Sequence, residues 1–210
     1  MTSTRRGATA ALIALGATAL ARPVFALARW QANRRDLIVF ADGEARFGKD
    51  KYRCALGRGG VRADKFEGDG ATPAGVWSFR SILYRADRVR LPQTNIRTRA
   101  IAKIDAWCDA PTDSNYNRAI TLPYPASTES LWREDELYDV VLVVGYNDNP
   151  VVPDLGSAIF VHVARANYSP TAGCVALAKQ NLLEVVAQIT RSSRLIVHPA
   201  RFSPRDHGGG

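Results

Sequence analysis

Gly156-Ser157-Ala158-Ile159-Phe160-Val161-His162, then a loop, then Thr171-Ala172-Gly173-Cys174-Val175-Ala176-Leu177: these two segments decide how the chain is read. The first is a hydrophobic strand that ends in a histidine. Twelve positions beyond it a cysteine stands behind a glycine. Pro170 and Gly173 punctuate the return, so the loop can fold back and bring imidazole and thiol together. From Ala178 to Thr190 the spacing changes. Leu182, Leu183, Val185, Val186 and Ile189 recur at helical intervals, which predicts a helix after the cysteine, with a final strand near Leu195–His198.

Outward from that centre the pattern is short apolar runs broken by turn residues. Leu37-Ile38-Val39-Phe40 ends at Asp42-Gly43, a hairpin signal. Lys51 to Leu56 alternates and stops at Gly57, and Val76 to Tyr84 is rich in aromatic and β-branched residues, with Trp77 and Phe79 reading as core. Further strands are expected near Ala119–Leu122, Val140–Gly145 and Ile159–Val163. A shorter helix is expected near Ser130–Leu137. Between Arg85 and Pro125 the chain is polar and Pro-interrupted, the pattern of a functional loop or lid. These signals predict a mainly β, single-domain body of the sandwich or barrel kind, carrying one helix after Cys174.

The 210 residues suit one domain with a real core. Residues 1–26 read differently. Arg5-Arg6 precedes an uncharged Ala- and Leu-rich run from Gly7 to Ala21, followed by Arg22-Pro23 and small residues, which is a secretory signal. Cleavage after Ala26 or after Ala28 fits, and the paired arginines leave twin-arginine and general secretory export both open. An uncleaved anchor would be the chain's membrane contact, and the domain is exported either way. A polar tail is expected over 200–210. Loss of 1–26 lowers the net charge from +8 to +5, which points weakly to a polyanionic setting. No aromatic-basic interleaving of a nucleic-acid platform is present. Three cysteines, Cys54, Cys108 and Cys174, make an odd count for an oxidising compartment. One arrangement pairs Cys54 with Cys108 and leaves Cys174 free.

A cysteine on an apolar segment is usually a small buried hydrophobe, and a histidine at a strand end is usually hydrogen-bonded and nothing more. Together they can do chemistry. A thiol of pKa about 8.5 is only slightly ionised at neutral pH, and a neighbouring imidazole that takes its proton makes a thiolate–imidazolium pair. Gly173 lets a carbonyl approach the backbone, and the N–H groups of Gly173 and Cys174 are candidates to face an oxyanion. The three histidines, His162, His198 and His207, have no metal-ligand spacing.

The local sequence around both residues resembles the L,D-transpeptidase (YkuD-type) catalytic domain, whose signature is a strand histidine, a loop and Ser/Thr-x-Gly-Cys. Gly68-Asp69-Gly70-Ala71-Thr72-Pro73-Ala74-Gly75-Val76-Trp77 is similar to the family's Gly-Asp, Thr-Pro-x-Gly-x-aromatic element. Trp107-Cys108-Asp109 and Tyr116-Asn117-Arg118 resemble elements of one branch. The likeness covers about Leu37 to Pro199, so the catalytic domain is placed over 37–199. It implies an exported, periplasmic cysteine acyltransferase of cell-wall biogenesis without a cofactor. Cys174 attacks a peptidoglycan stem peptide, His162 handles the proton, D-Ala leaves, and an amine of a second stem resolves the thioester. The link formed is 3–3 between two diaminopimelates or 1–3 between L-Ala and diaminopimelate. Water as acceptor gives an L,D-carboxypeptidase or endopeptidase, and a wall-binding module without chemistry is the rival of another class. Carbapenem-type inhibitors are expected to label Cys174.

The chain departs from the commoner motif at Val163, Ala172 and Ala176, where a small residue, a histidine and an arginine are more usual. How the substrate carboxylate is held is therefore open, with Arg165 and Arg118 as candidates. Tyr168, Thr171 and Tyr116 are candidates to line the substrate groove, and Asp109 and Asn117 to brace the site.

Overall fold

The computed structural model describes residues 32–200. The expected signal segment, residues 201–210 of the expected tail and His207 lie outside the described residues. In chain order the strands are β1 (Leu37–Phe40), β2 (Glu44–Phe47), β3 (Asp50–Ala55), β4 (Val61–Arg62), β5 (Thr72–Pro73), β6 (Gly75–Tyr84) and β7 (Thr98–Ala100). They continue as β8 (Asp105–Cys108), β9 (Ala119–Thr121), β10 (Thr128–Ser130), β11 (Val140–Val144), β12 (Phe160–Val163), β13 (Val175–Leu177) and β14 (Arg194–His198). The helix α1 (Lys179–Gln188) lies between β13 and β14.

The main sheet runs β11-β12-β13-β3-β2-β1-β14-β6-β7, and β6 also pairs with β11. That extra pairing closes eight strands into a barrel. The long strand β6 is the seam: its first half, Gly75–Ser78, lies antiparallel to β14, and its second half, Phe79–Tyr84, antiparallel to β11. Closure leaves those edges no unpaired ladder of backbone groups. The hairpin read at Asp42-Gly43 is present: β1 and β2 are antiparallel, and Gly43 takes φ +84° with its N–H on the Phe40 carbonyl.

Alternation along the strands makes two apolar clusters. Val161, Val163, Val175, Leu177, Val140, Leu142 and Val144 point inward, into a cluster shared with Leu182, Val185 and Val186 of α1. The opposite faces of the same strands carry Phe160, Val141 and Val143, which pack with Leu83, Leu131, Leu137, Tyr138 and Cys174 in a second cluster. The outer cluster is covered by a three-stranded antiparallel sheet, β10-β8-β9, through Trp107, whose ring meets Phe160 edge-on at 5.2 Å. The site lies at this junction.

Three expectations are corrected. No helix forms at Ser130–Leu137: Ser130 ends strand β10, and the turn that follows is held to the loop after β6 by arginine side chains. The Arg85 Nη1 donates to the Arg133 carbonyl at 2.6 Å, and Arg88 donates to the carbonyls of Glu134 and Asp135. The stretch between Arg85 and Pro125 is not one irregular loop: it contains β7, β8 and β9. Cys54, Cys108 and Cys174 are all free thiols, with Cys54 in the barrel and Cys108 in the small sheet.

Candidate active site

The strands β12 and β13 are parallel neighbours, with Val161 opposite Val175 and His162 opposite Ala176. Cys174, one residue before β13, therefore sits beside Phe160. The period of two puts Phe160 and His162 on the same outer face. The loop between His162 and Cys174 brings both to one cavity of about 380 Å³.

His162 is buried, and its Nδ1 lies 2.8 Å from the Val163 carbonyl oxygen. A carbonyl can only accept, so Nδ1 carries the hydrogen and Nε2 is left with a lone pair, the tautomer a base requires. Tyr138 packs edge-on against the imidazole at 5.3 Å. Burial holds the imidazole pKa down to about 4, against the Val163 hydrogen bond, which favours the charged form; the nearby guanidinia of Arg133 and Arg165 add to the lowering.

Cys174 is also buried, and burial pushes its thiol up to about 12, with the Glu129 carboxylate adding to the rise. Its Sγ receives the Phe160 N–H at 3.4 Å and donates to the Ala158 carbonyl at 3.2 Å. The resting pair is thus a neutral thiol and a neutral imidazole. The thiolate–imidazolium pair expected from sequence is opposed at rest by desolvation of both partners.

The Ala158 carbonyl is aimed at the sulfur by strain. Ala158 has φ +51°, which costs a residue with a Cβ roughly 1–2 kcal/mol. Asn117 stabilises it: Oδ1 accepts from the Ala158 N–H at 3.1 Å and the Trp107 Nε1–H at 3.0 Å. The Asn117 Nδ2 donates to the carbonyls of Tyr146 and Asn147. Asn117 itself is left-handed, φ +55°, a conformation its side chain tolerates well.

The cysteine loop is held from the other side by the Gly-Asp, Thr-Pro segment. Asp69 accepts from the N–H groups of Phe66 and Ala71 and pairs with the buried Lys65 ammonium at 2.7 Å. The next residues pack against the loop: a Cβ on Gly173, which has φ +140°, would come 2.9 Å from the Ala71 carbonyl oxygen. Glycine is needed there for this backbone contact as well as for its dihedral. The Thr171 hydroxyl donates to the Cys174 carbonyl at 2.6 Å and accepts the Gly173 N–H at 3.1 Å. The Gly173 N–H, a candidate oxyanion donor, is therefore already bonded.

Of the other sequence candidates, Arg165 and Thr171 line the cavity. Tyr168 does not line it; its ring lies under the Arg53 guanidinium at 4.4 Å. Tyr116 is buried, donating to Glu67 at 2.5 Å and accepting the Gly156 N–H, so it supports the wall without lining it. Arg118 lines a separate cleft with Arg80 and Arg97. Sequence reasoning missed Arg58, Glu129, Arg133 and Tyr138, all on the cavity wall. Glu129 stands in β10 and Arg133 and Tyr138 in the following turn, where no period marks a face. Asp109 lines the cavity too, and its buried Oδ1 has no hydrogen-bond partner.

Among the described residues no cluster of three His, Cys, Asp or Glu side chains is arranged to hold a metal ion, and no helix is long and apolar enough to cross a membrane. The family model described as YkuD, L,D-transpeptidase catalytic domain, matches residues 30–197. No curated protein and no solved structure matches the chain.

Proposed function

The chain belongs to the YkuD family of L,D-transpeptidase catalytic domains, and from that premise we propose that it is a peptidoglycan cross-linking acyltransferase with Cys174 as nucleophile and His162 as base. One observation carries the assignment of roles: thiol and imidazole open on the same cavity, with His162 Nδ1 committed to a carbonyl and Nε2 left to accept a proton.

In the first half-reaction the thiol proton passes to His162 Nε2 as the sulfur attacks a stem-peptide carbonyl. Because both groups are neutral at rest, transfer and attack proceed together. The imidazolium then gives the proton to the departing D-Ala nitrogen, leaving a thioester on Cys174. The Cys174 N–H is the oxyanion donor of this reading; the Gly173 N–H joins only if Thr171 releases it. Arg165 is the proposed carboxylate partner, with Arg58 and Arg133 beside it on the same wall. An amine of a second stem then attacks the thioester and forms a 3–3 or a 1–3 link. Residues 1–26 support export to the periplasm, where this substrate lies.

Mass analysis of muropeptides tests the reading. Mature protein is incubated with tetrapeptide-bearing peptidoglycan beside Cys174→Ala. New dimers with loss of D-Ala, absent from the variant, are expected, and fragmentation identifies the joined residues. Trimmed monomers without dimers would make it a carboxypeptidase. No change in any product would favour a binding module.

A further inference from the structure

The second half-reaction poses a problem that Cys174 and His162 do not solve alone. An aliphatic amine at neutral pH is an ammonium, which has no lone pair to attack a thioester. It must lose one proton before attack and a second when the amide forms. His162 can take the second as the C–S bond breaks, relaying it to the leaving sulfur. The first needs another acceptor in the same cavity.

We propose that Glu129 is that acceptor: its carboxylate binds the incoming ammonium and takes the first proton, which makes it the residue that separates transpeptidation from hydrolysis. This rests on the reading given above. Glu129 lines the cavity with Cys174 and His162. One carboxylate oxygen accepts the Tyr138 hydroxyl at 2.5 Å, and the Tyr138 ring lies edge-on against the His162 imidazole. The carboxylate is thus fixed relative to the base and makes no ion pair shorter than 4 Å among the described residues. The charges facing it are Arg133, which favours its ionised form, and Asp109, which opposes it. Burial, joined by Asp109, raises its pKa more than the Tyr138 hydrogen bond and Arg133 lower it, so it is a stronger base than a solvated carboxylate. Asp109 lines the same cavity, and its charge would add to the attraction for an ammonium at Glu129.

The balance is explicit. The ammonium gives one proton to Glu129, and the free amine attacks the thioester carbon. The C–S bond breaks, and the remaining excess proton passes through His162 to the Cys174 sulfur. Glu129 then returns its proton to solvent through the open cleft.

The test compares the mature protein with Glu129→Gln in three readouts. D-Ala release and acyl-enzyme mass report the first half-reaction, and dimer formation reports the second. Glu129→Gln is expected to keep D-Ala release in the first turnover within about threefold while dimer formation falls roughly 10²-fold, with acyl-enzyme accumulating. Hydroxylamine, an amine uncharged at neutral pH, should resolve the thioester equally well in both proteins, which also shows that the variant is folded. Raising the pH should restore dimer formation in the variant more than in the parent. Unchanged dimer formation in Glu129→Gln overturns the proposal, as does an equal loss of D-Ala release and dimers, or equal loss with hydroxylamine. Failure of the parent to form any acyl-enzyme would instead overturn the acyltransferase reading on which the proposal stands.

Discussion

The two walls of the cavity that holds Cys174 and His162 are built on opposite terms. On the barrel wall, the polar groups around Cys174 are bonded to one another: Asp69 to Lys65 and two backbone N–H groups, and Thr171 to both Gly173 and Cys174. On the wall formed by the small sheet and the turn after it, the side chains facing the cavity are less satisfied. Asp109 has a buried oxygen with no partner, and Glu129 is held by a single tyrosine hydroxyl. A buried polar group that the fold satisfies serves the fold, whereas one left short is available to a ligand. The first wall should therefore lose stability when altered, and the second should lose chemistry.

The sharpest way to break that contrast is Asp69→Ala. It strands the buried Lys65 ammonium and frees two N–H groups, so unfolding stability should fall by about 3–5 kcal/mol in a denaturant melt. A loss under about 1 kcal/mol would mean that the barrel wall does not depend on its internal bonds. Thr171→Val is the next test. It keeps the shape and removes a hydroxyl with two partners, and a loss of about 1–3 kcal/mol is expected. It also frees the Gly173 N–H, so its effect on acylation reports whether that donor serves the oxyanion.

The other wall should respond with the opposite sign. Asp109→Ala removes a carboxylate whose buried oxygen lacks a partner, and the melt should stay within about 1 kcal/mol of the parent or rise above it. A loss as large as that of Thr171→Val would show that Asp109 serves the fold, and the two walls would then be alike.

The same contrast explains what could be read from the sequence. The barrel wall is local: a strand with period two, a turn with Gly and Pro, a helix with its own spacing. So β1, β6, β11, β12 and α1 were legible to within a residue or two, as were Cys174 and His162 on the two sides of one short loop. The closure through β6 was not legible, because ten residues that pair with two different strands look like any single strand. The second wall is made of long-range contacts. Asn117 reaches Ala158 and Glu129 reaches Tyr138 across turns that carry no period. The segment Ser130–Leu137, expected to be helical, is instead the end of β10 and a turn tied through the carbonyls of Arg133, Glu134 and Asp135 to Arg85 and Arg88, more than forty residues earlier. Tyr168 and Arg118 were placed by proximity along the chain, and packing sent both elsewhere.

The smallest expected effect concerns the charges shared by the two walls, read through the pH dependence of the acylation proposed for Cys174, with a carbapenem as the probe. The proposed base, His162, can act only when neutral, and its pKa in the folded protein is lowered to about 4. Activity is then lost only as the pH falls through that value. The acylation rate should change little between pH 5.5 and 7.5, where an unperturbed histidine would lose most of its basic form near its usual pKa of about 6.5. Burial is the main cause of the lowering, and the guanidinia of Arg133 and Arg165 are lesser ones. Arg165→Gln should accordingly move the acid limb upward by only a small amount, and the rate at neutral pH should fall only as far as Arg165 holds the substrate carboxylate. A limb that jumped to the ordinary histidine range in Arg165→Gln would make charge, and not desolvation, the force that keeps the imidazole neutral. The rim of arginines would then govern the base that the barrel wall was built to hold.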